Sequence, residues 1–525
     1  MKNKYGQYFT PKDVASFMID MVEKPVKALV LEPSCGEGVF LDVLLERGYC
    51  NIDAYEVDKS LVTQYPFVKY ESFVSANIQQ KYDLIVGNPP YIRWKNLEKE
   101  LKKELVGNDL WNKYFNSLCD YLYIFILRSI ELLKEEGELI FICPEYWMNT
   151  THSLSLRNYM MENGYFEAIY HFNETPIFSG VNVSIVIFKY IKTKKQAKRT
   201  ERIRLVKYFN AKRIEYSDLC KIANGEQLEG AKYLEISQFQ VDKRWVLQDD
   251  ELSRKLELFM NSCICQVQHQ ALDLFDEDSI LTIGDVCDVG NGLVSGLDKA
   301  FQIKDAEKLN LKELEATIKV YKAKNLTPYL PKEHTLYINI EVPIDEEDLK
   351  TQYPNFYDQL LKYKDDLLKR YLYNKDIKYW EWVFKRNYQL FKRSGRRIFV
   401  PCKERVSNKN FFRFSLVEDC YFPTQDVTAI FKKPTTKESI EYIVAYLNMP
   451  IVFEWLRNYG IVKGHIVEFS EKPVTSIPFR RINWDDPMEV RLHDGITQKI
   501  NNLLENGDMN LVDSINADLA MLLKL

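Results

Sequence analysis

Leu31-Glu32-Pro33-Ser34-Cys35-Gly36-Glu37-Gly38 closes an apolar run that begins at Val26 and opens a stretch with helical spacing, Gly38 to Arg47. Glycines at such a junction let the backbone approach a ligand closely, and the N-terminus of the following helix favours electronegative groups. Alone, a Gly-x-Gly turn is equally a plain strand-to-helix connection, so the flanking pattern has to decide. Asn51 to Val57, Tyr82 to Val86, Glu138 to Ile142, Phe166 to His171 and Val183 to Tyr190 read as strands, and Asp120 to Lys134 reads as a long helix. This alternation predicts an α/β domain with a mostly parallel, doubly wound sheet whose ligands sit at the carboxyl ends of the strands.

Two further segments fall at such strand ends. Glu56, in Tyr55-Glu56-Val57-Asp58, lies about 20 residues past the glycine turn, the position from which an acid accepts hydrogen bonds from ribose hydroxyls. Asn88-Pro89-Pro90-Tyr91 follows the apolar run Leu84-Ile85-Val86. Its prolines stiffen the loop and remove two backbone donors while leaving carbonyl acceptors. The Asn88 amide oxygen and the Pro89 carbonyl can both accept from one exocyclic amine, and Tyr91 supplies a stacking face.

In this order the segments resemble the gamma-class N6-adenine DNA methyltransferases of type II restriction-modification systems. Gly6-Gln7-Tyr8-Phe9-Thr10-Pro11 resembles that family's N-terminal donor-binding segment. Glu138 to Pro144 and Phe178-Ser179-Gly180-Val181-Asn182-Val183-Ser184-Ile185-Val186 resemble its later core motifs. The likeness covers roughly residues 5 to 190. It implies a Rossmann-like, S-adenosylmethionine-dependent methyltransferase domain followed by an α+β target-recognition domain. It further implies that Thr10, Glu32, Gly36 and Glu56 contact S-adenosylmethionine, that Asn88 and Pro89 hold the target amine, and that Tyr91 and Phe178 face the base. Where the family usually carries Asp-Phe, this chain offers Ala76-Asn77-Ile78, so Asn77 is expected to accept from the donor's adenine amine. The implied reaction is direct methyl transfer to the N6 amine of an adenine flipped out of double-stranded DNA. Acceptors with the same planar amine or amide, namely cytosine N4, an RNA base or a protein glutamine, form the alternative.

Composition narrows the field around this reading. The 525 residues allow two to four domains, and 46% hydrophobic with 28% charged residues is ordinary globular composition, which excludes disorder as a main theme. Seventy-one Lys and Arg against 75 Asp and Glu give a net charge of −4, so the chain is no polycation. Ten scattered cysteines without a Cys-x-x-Cys pair, and six histidines without metal-ligand spacing, lead us to expect reduced thiols and no metal site. Without a signal pattern or a long apolar segment, a cytoplasmic protein with no membrane association is expected. Pro401-Cys402 superficially resembles the nucleophile of cytosine-C5 enzymes, but it lies outside the donor-binding half and is read as structural.

The expected division is a catalytic domain over residues 1–235 and a DNA target-recognition domain over 240–525. Lys192 to Arg213 holds ten Lys/Arg and one acid, Glu201, and reads either as a solvated linker or as a phosphate-facing edge. Lys378 to Arg413 carries eleven Lys/Arg interleaved with aromatics. From that window Lys385, Arg386, Lys392, Arg393, Arg396 and Arg397 are expected to meet DNA phosphates. Asp288 to Gly296 and Phe422-Pro423-Thr424-Gln425-Asp426 resemble segments of the family's recognition domains, whereas Gly464-His465 is read as a turn. The expected partners are double-stranded DNA and a separate cognate restriction endonuclease, with the chain acting as a monomer.

Overall fold

The computed structural model describes residues 8–61, 63–178, 183–264, 279–342, 344–371, 376–406, 409–463 and 466–525. Gly6, Gln7, residues 179–182 and the Gly464-His465 pair lie outside them. The chain forms two compact units, Met1–Ser253 and Arg254–Leu525.

The first unit is built on a nine-stranded sheet in the order β3-β2-β1-β4-β5-β7-β6-β8-β9. The strands are β1 (Val30–Glu32), β2 (Ile52–Tyr55), β3 (Val68–Lys69), β4 (Tyr82–Gly87), β5 (Leu133–Pro144), β6 (Gly164–His171), β7 (Ile185–Lys192), β8 (Ile203–Tyr208) and β9 (Ala231–Ile236). The helices are α1 (Lys12–Asp20), α2 (Val39–Glu46), α3 (Lys99–Val106), α4 (Asp109–Tyr114), α5 (Leu122–Leu132), α6 (Leu154–Asn163) and α7 (Tyr216–Asn224). Successive side chains of a strand point to opposite faces, and both faces are apolar. Leu31, Ile85, Leu139 and Phe141 pack with α5 on one side. Val30, Leu84, Val86, Ile140 and Ile142 pack with α1 and α2 on the other.

Strands β1 to β5 pair in parallel, as the sequence pattern requires. Beyond them the rule changes, because β7 runs antiparallel to both β5 and β6. This reversal has a consequence for the site. Pro144 at the end of β5 pairs with Ile185, and His171 at the end of β6 pairs with Val186. The connection carrying Phe178 therefore emerges at the same carboxyl end of the sheet as the residues following β4. Between β1 and β4 the strand order turns back on itself, which is where an open α/β sheet leaves a crevice.

The division of the chain falls later than the sequence suggested. Residues 236–253 belong with the first unit, because Trp245 is buried and stacks on Phe239 with ring centroids 4.5 Å apart. The Trp245 backbone N–H also donates to the Met148 carbonyl at 3.1 Å. The basic stretch from Lys192 is neither plain linker nor free edge. It includes β8, and several of its cations are used internally: Lys192 donates to the Ile130 and Leu133 carbonyls and Lys198 pairs with Glu136.

The second unit is α+β. It has a four-stranded sheet in which the strands lie in the order Cys287–Asn291, Val427–Lys432, Arg397–Pro401 and Ser415–Val417. Two three-stranded sheets accompany it, and helices Pro487–Asn506 and Leu511–Leu523 end the chain. The aromatics of the basic window mostly fill this unit's core: Tyr379, Trp380, Trp382, Phe391 and Phe399 are buried in one cluster. Among the described residues no helix is long and apolar enough to cross a membrane.

Candidate active site

The glycine turn leaves β1 through left-handed backbone. Gly36 takes φ +55° and Gly38, the N-cap of α2, takes φ +93°, left-handed conformations that side chains disfavour. The Gly36 N–H donates to Glu56 Oε2 at 2.8 Å, and the Asp58 N–H donates to Glu56 Oε1 at 2.8 Å. The carboxylate is thereby aimed. Burial raises the Glu56 carboxyl above its ordinary range, and backbone donors from Asp58, Gly36 and Val57 oppose that shift.

Beside this turn lies a cavity of about 840 Å3 open to solvent. Thr10, Glu32, Gly36, Glu56 and Asn88 all line it, so the structure brings together residues drawn from four separate segments. Glu32 is 1% exposed, and neither of its carboxylate oxygens has a hydrogen-bond partner among the described residues. Burial, and next the charge of Glu56, push its carboxyl well above the usual range. Among the described residues three acids, Glu32, Glu37 and Glu56, share the lining with the rings of Phe40, Phe73, Tyr121 and Phe125, and no Lys, Arg or His does. Orphaned buried carboxylate oxygens next to a wall of rings suit a ligand carrying positive charge and a flat heterocycle. S-adenosylmethionine, a sulfonium with an ammonium group and an adenine, fits that donor set.

Asn77 is a correction. Its side chain is exposed, accepts from Gln79 Nε2 at 2.5 Å and does not line the cavity. Ser72 and Phe73 do, directly after β3. The signal for them was present as a polar residue followed by phenylalanine, but it sits five residues upstream of the segment where it was sought. Tyr121 and Phe125, read only as parts of a helix, complete that apolar wall.

Asn88 follows β4 and is tied on three sides. Its Nδ2 donates to the Tyr8 carbonyl at 2.6 Å and to Thr10 Oγ1 at 3.1 Å, while its Oδ1 accepts from the Tyr91 hydroxyl at 3.0 Å. Its own backbone carbonyl accepts from Ser34 Oγ at 3.1 Å, so the glycine turn and the Pro-Pro loop are linked. Pro89 is buried. The Tyr91 ring stacks on Tyr8, with centroids 5.0 Å apart and planes 13° from parallel, and Phe178 lies 5.8 Å from Tyr8. Phe178 is 5% exposed and also belongs to the core packed around α1 and α2.

In the second unit, the two recognition-like segments meet. The Leu293 N–H donates to the Pro423 carbonyl at 2.9 Å and the Gly292 N–H to the Val427 carbonyl at 3.0 Å. A Cβ at Gly292 would lie 2.2 Å from the Thr424 carbonyl oxygen, so glycine is needed for that approach. Val294 and Phe384 exchange backbone bonds at 2.9 and 3.0 Å, and Arg386 Nη2 reaches the Gly292 carbonyl at 3.5 Å. Lys385 and the exposed Phe384 ring stand beside this junction.

The other basic residues are placed differently. Arg397 is fully buried and donates to the Phe391, Arg393 and Gly395 carbonyls, so it is a structural residue and not a phosphate contact. Lys392 pairs with Glu341, Arg393 with Asp288, and Arg396 with Glu418 and Glu441. Cys402 faces the Gln425 carbonyl and Thr428 Oγ1 within this second unit.

A parallel sheet with its crevice at β1 and β4, an acid-lined donor cavity and an Asn-Pro-Pro-Tyr loop at its rim define an S-adenosylmethionine-dependent adenine-N6 DNA methyltransferase. Comparison with known proteins agrees: residues 40–178 match the model of the Eco57I restriction-modification methylase family and residues 1–47 that of N-6 DNA Methylase. The chain is 46% identical to type II methyltransferase M.HindII of Haemophilus influenzae over 523 residues, 99% of this chain and 98% of that protein. It is 44% identical to M.HincII of the same species, with the same coverage. The chain belongs to the type II methyltransferases. Among solved structures, the type IIL restriction-modification enzyme MmeI in complex with DNA is similar in fold, with a TM-score of 0.56 and 12% identity over 98% of this chain and 72% of that one.

Proposed function

We propose that Asn88 and Pro89 hold the N6 amine of an adenine turned out of the DNA duplex, and that Tyr91 and Phe178 face the base. The observation that carries this reading is the fixing of Asn88. With Nδ2 committed to Tyr8 and Thr10 and one Oδ1 lone pair taken by the Tyr91 hydroxyl, the second Oδ1 lone pair is left to accept, and Asn88 itself lines the donor cavity. When bound, S-adenosylmethionine supplies an electrophilic methyl group on a sulfonium. Glu56 would accept from its ribose hydroxyls, Glu32 would neutralise its positive charge, and Phe73 would wall its adenine. The Asn88 and Pro89 oxygens accept the two amine N–H bonds, which directs the nitrogen lone pair out of the base plane toward the cavity. Positioning of that kind supplies most of the acceleration in a transfer that needs no covalent enzyme intermediate. Transfer would form one N–C bond as the donor's S–CH3 bond breaks, leaving the neutral thioether S-adenosylhomocysteine, and the amine proton would pass to solvent.

An adenine stacked in a duplex cannot reach a loop at the rim of a cavity, so the base must be extruded. The second unit is read as the recognition module, contacting DNA through residues 291–295, Gln425, Lys385 and Arg386, because three separate segments converge there. The protein is read as a monomer that works beside a separate endonuclease. In support, the relatives it matches from end to end carry the name methyltransferase alone. Nucleoside mass spectrometry of DNA treated with the wild type and with Asn88→Ala tests the acceptor assignment. N6-methyldeoxyadenosine from the first and none from the second is expected, and equal yields would move the acceptor site elsewhere.

A further inference from the structure

Tyr8 has a ring for which the reaction described above has no use. That ring lies nearly parallel to Tyr91 and also touches Phe178, with centroids 5.0 and 5.8 Å away. These are the two aromatic residues assigned to the acceptor base, so a flat ring already stands against both of them. We infer that Tyr8 fills the acceptor-base slot of the DNA-free protein and that the target adenine enters by displacing the Tyr8 ring from Tyr91. The inference rests on the reading of Tyr91 and Phe178 as base contacts.

The way Tyr8 is held makes such an exchange inexpensive. Its backbone carbonyl accepts from Asn88 Nδ2 at 2.6 Å, whereas no hydrogen bond to another described residue holds its hydroxyl. Carbonyl and ring therefore do separate jobs. Rotation about the Cα–Cβ bond moves the ring between staggered positions and leaves the carbonyl in place, so the slot can open without releasing the amide that receives the amine. Tyr91, in contrast, is tethered by its hydroxyl to Asn88 Oδ1 and offers the fixed face. Tyr8 lies in extended chain ahead of α1, whose N-cap Pro11 and neighbouring Thr10 are anchored, so the helix need not move.

A filled slot also has a physical rationale. Two unpaired aromatic faces at the rim of a cavity would lose their contact energy in water, and the Tyr8 ring preserves it until a base arrives. A base must then outcompete the Tyr8 contact, which penalises partial or incorrect insertion.

The test uses the full-length protein and a duplex carrying 2-aminopurine at the methylated position, with the fluorescence rise followed by stopped flow. Removing the ring in Tyr8→Ala should accelerate the rise by about three- to tenfold, the range expected for one aromatic pair. Tyr8→Leu, which keeps bulk but offers no flat face, should accelerate it as well, and the larger ring of Tyr8→Trp should slow it. Circular dichroism and the melting temperature check that each variant is folded, since Tyr8 itself lines the donor cavity. Unchanged or slower rises in both Tyr8→Ala and Tyr8→Leu would overturn the inference, because the ring would then lie outside the path or support the inserted base. If the wild type methylates DNA while its 2-aminopurine signal stays duplex-like, the extrusion reading falls and the Tyr8 inference with it. That failure is told apart from the first by the absence of any wild-type rise.

Discussion

The Gly36 amide donates to Glu56 Oε2 at 2.8 Å, closing the end of β1 onto the end of β2 across twenty residues of chain. The bond aligns the carboxylate and helps hold Gly36 in its left-handed conformation. Glu56→Ala removes both the acceptor for ribose and the latch on the turn. S-adenosylmethionine affinity should fall by about tenfold or more, the effect of losing a charge-assisted pair, while circular dichroism stays that of the folded protein. Unchanged calorimetric affinity would remove the ribose assignment.

Glu32 trades stability for donor binding. In the unfolded chain it ionises near 4.5, as an ordinary glutamate does, whereas in the donor-free fold burial, and then the charge of Glu56, keep it protonated to higher pH. Across the interval between those two values the folded state binds more protons than the unfolded one, so this residue's contribution to stability falls as pH rises. Glu32→Gln should therefore raise the neutral-pH melting temperature of the donor-free protein, by about 2–4 °C for each kcal/mol gained. The same change should weaken donor binding. Wild-type donor affinity should decline on acidification below the folded Glu32 range, and the variant should show a flatter profile by calorimetry.

Asn88→Ala leaves the cavity walls Glu32, Glu56 and Phe73 in place but deletes the oriented amide oxygen. Methyl transfer under single-turnover conditions should fall by about a hundredfold to a thousandfold, the usual cost of losing one preorganised polar contact to a reacting group. Donor affinity should stay within about threefold of the wild type. A variant that transfers at near the wild-type rate would place the reaction elsewhere.

The donor half of the site was legible because its chemistry sits in contiguous motifs at strand ends. Glu32 and Gly36, Glu56, and Asn88 each belong to a turn whose composition already departs from ordinary loops, and all three line one cavity. Asn77 was misplaced because β3 has only two residues, too short a run for period-two patterning to locate the loop that follows. Tyr8 was hidden for a different reason: its role depends on a ring contact with Tyr91, 83 positions away, which no local pattern encodes. The basic window is the least legible part. Its cations point to phosphates, yet the interleaved Trp380, Trp382 and Phe391 build the second unit's core, and a buried guanidinium such as that of Arg397 looks identical in sequence to an exposed one.

That distinction yields opposite expectations for neighbouring cations. Arg397 satisfies three backbone carbonyls and sits over the Phe431 ring at 5.1 Å, so Arg397→Met should destabilise the protein by about 3 kcal/mol through the carbonyls it orphans. Its effect on DNA affinity should appear only through unfolding. Lys385 and Arg386 stand at the junction of the recognition-like segments, and among the described residues neither forms an ion pair within 4.0 Å, as Lys392, Arg393 and Arg396 do. Each phosphate contact contributes about 0.9 to the slope of log affinity against log salt concentration. A Lys385→Ala, Arg386→Ala double variant should therefore keep its melting temperature but lose up to about 1.8 from that slope, measured by titration between low and moderate salt. Lys392→Ala and Arg393→Ala should change the slope less, because their charges are already partly neutralised by Glu341 and Asp288. If the double variant keeps the wild-type slope, the DNA-facing surface of the second unit does not include this junction.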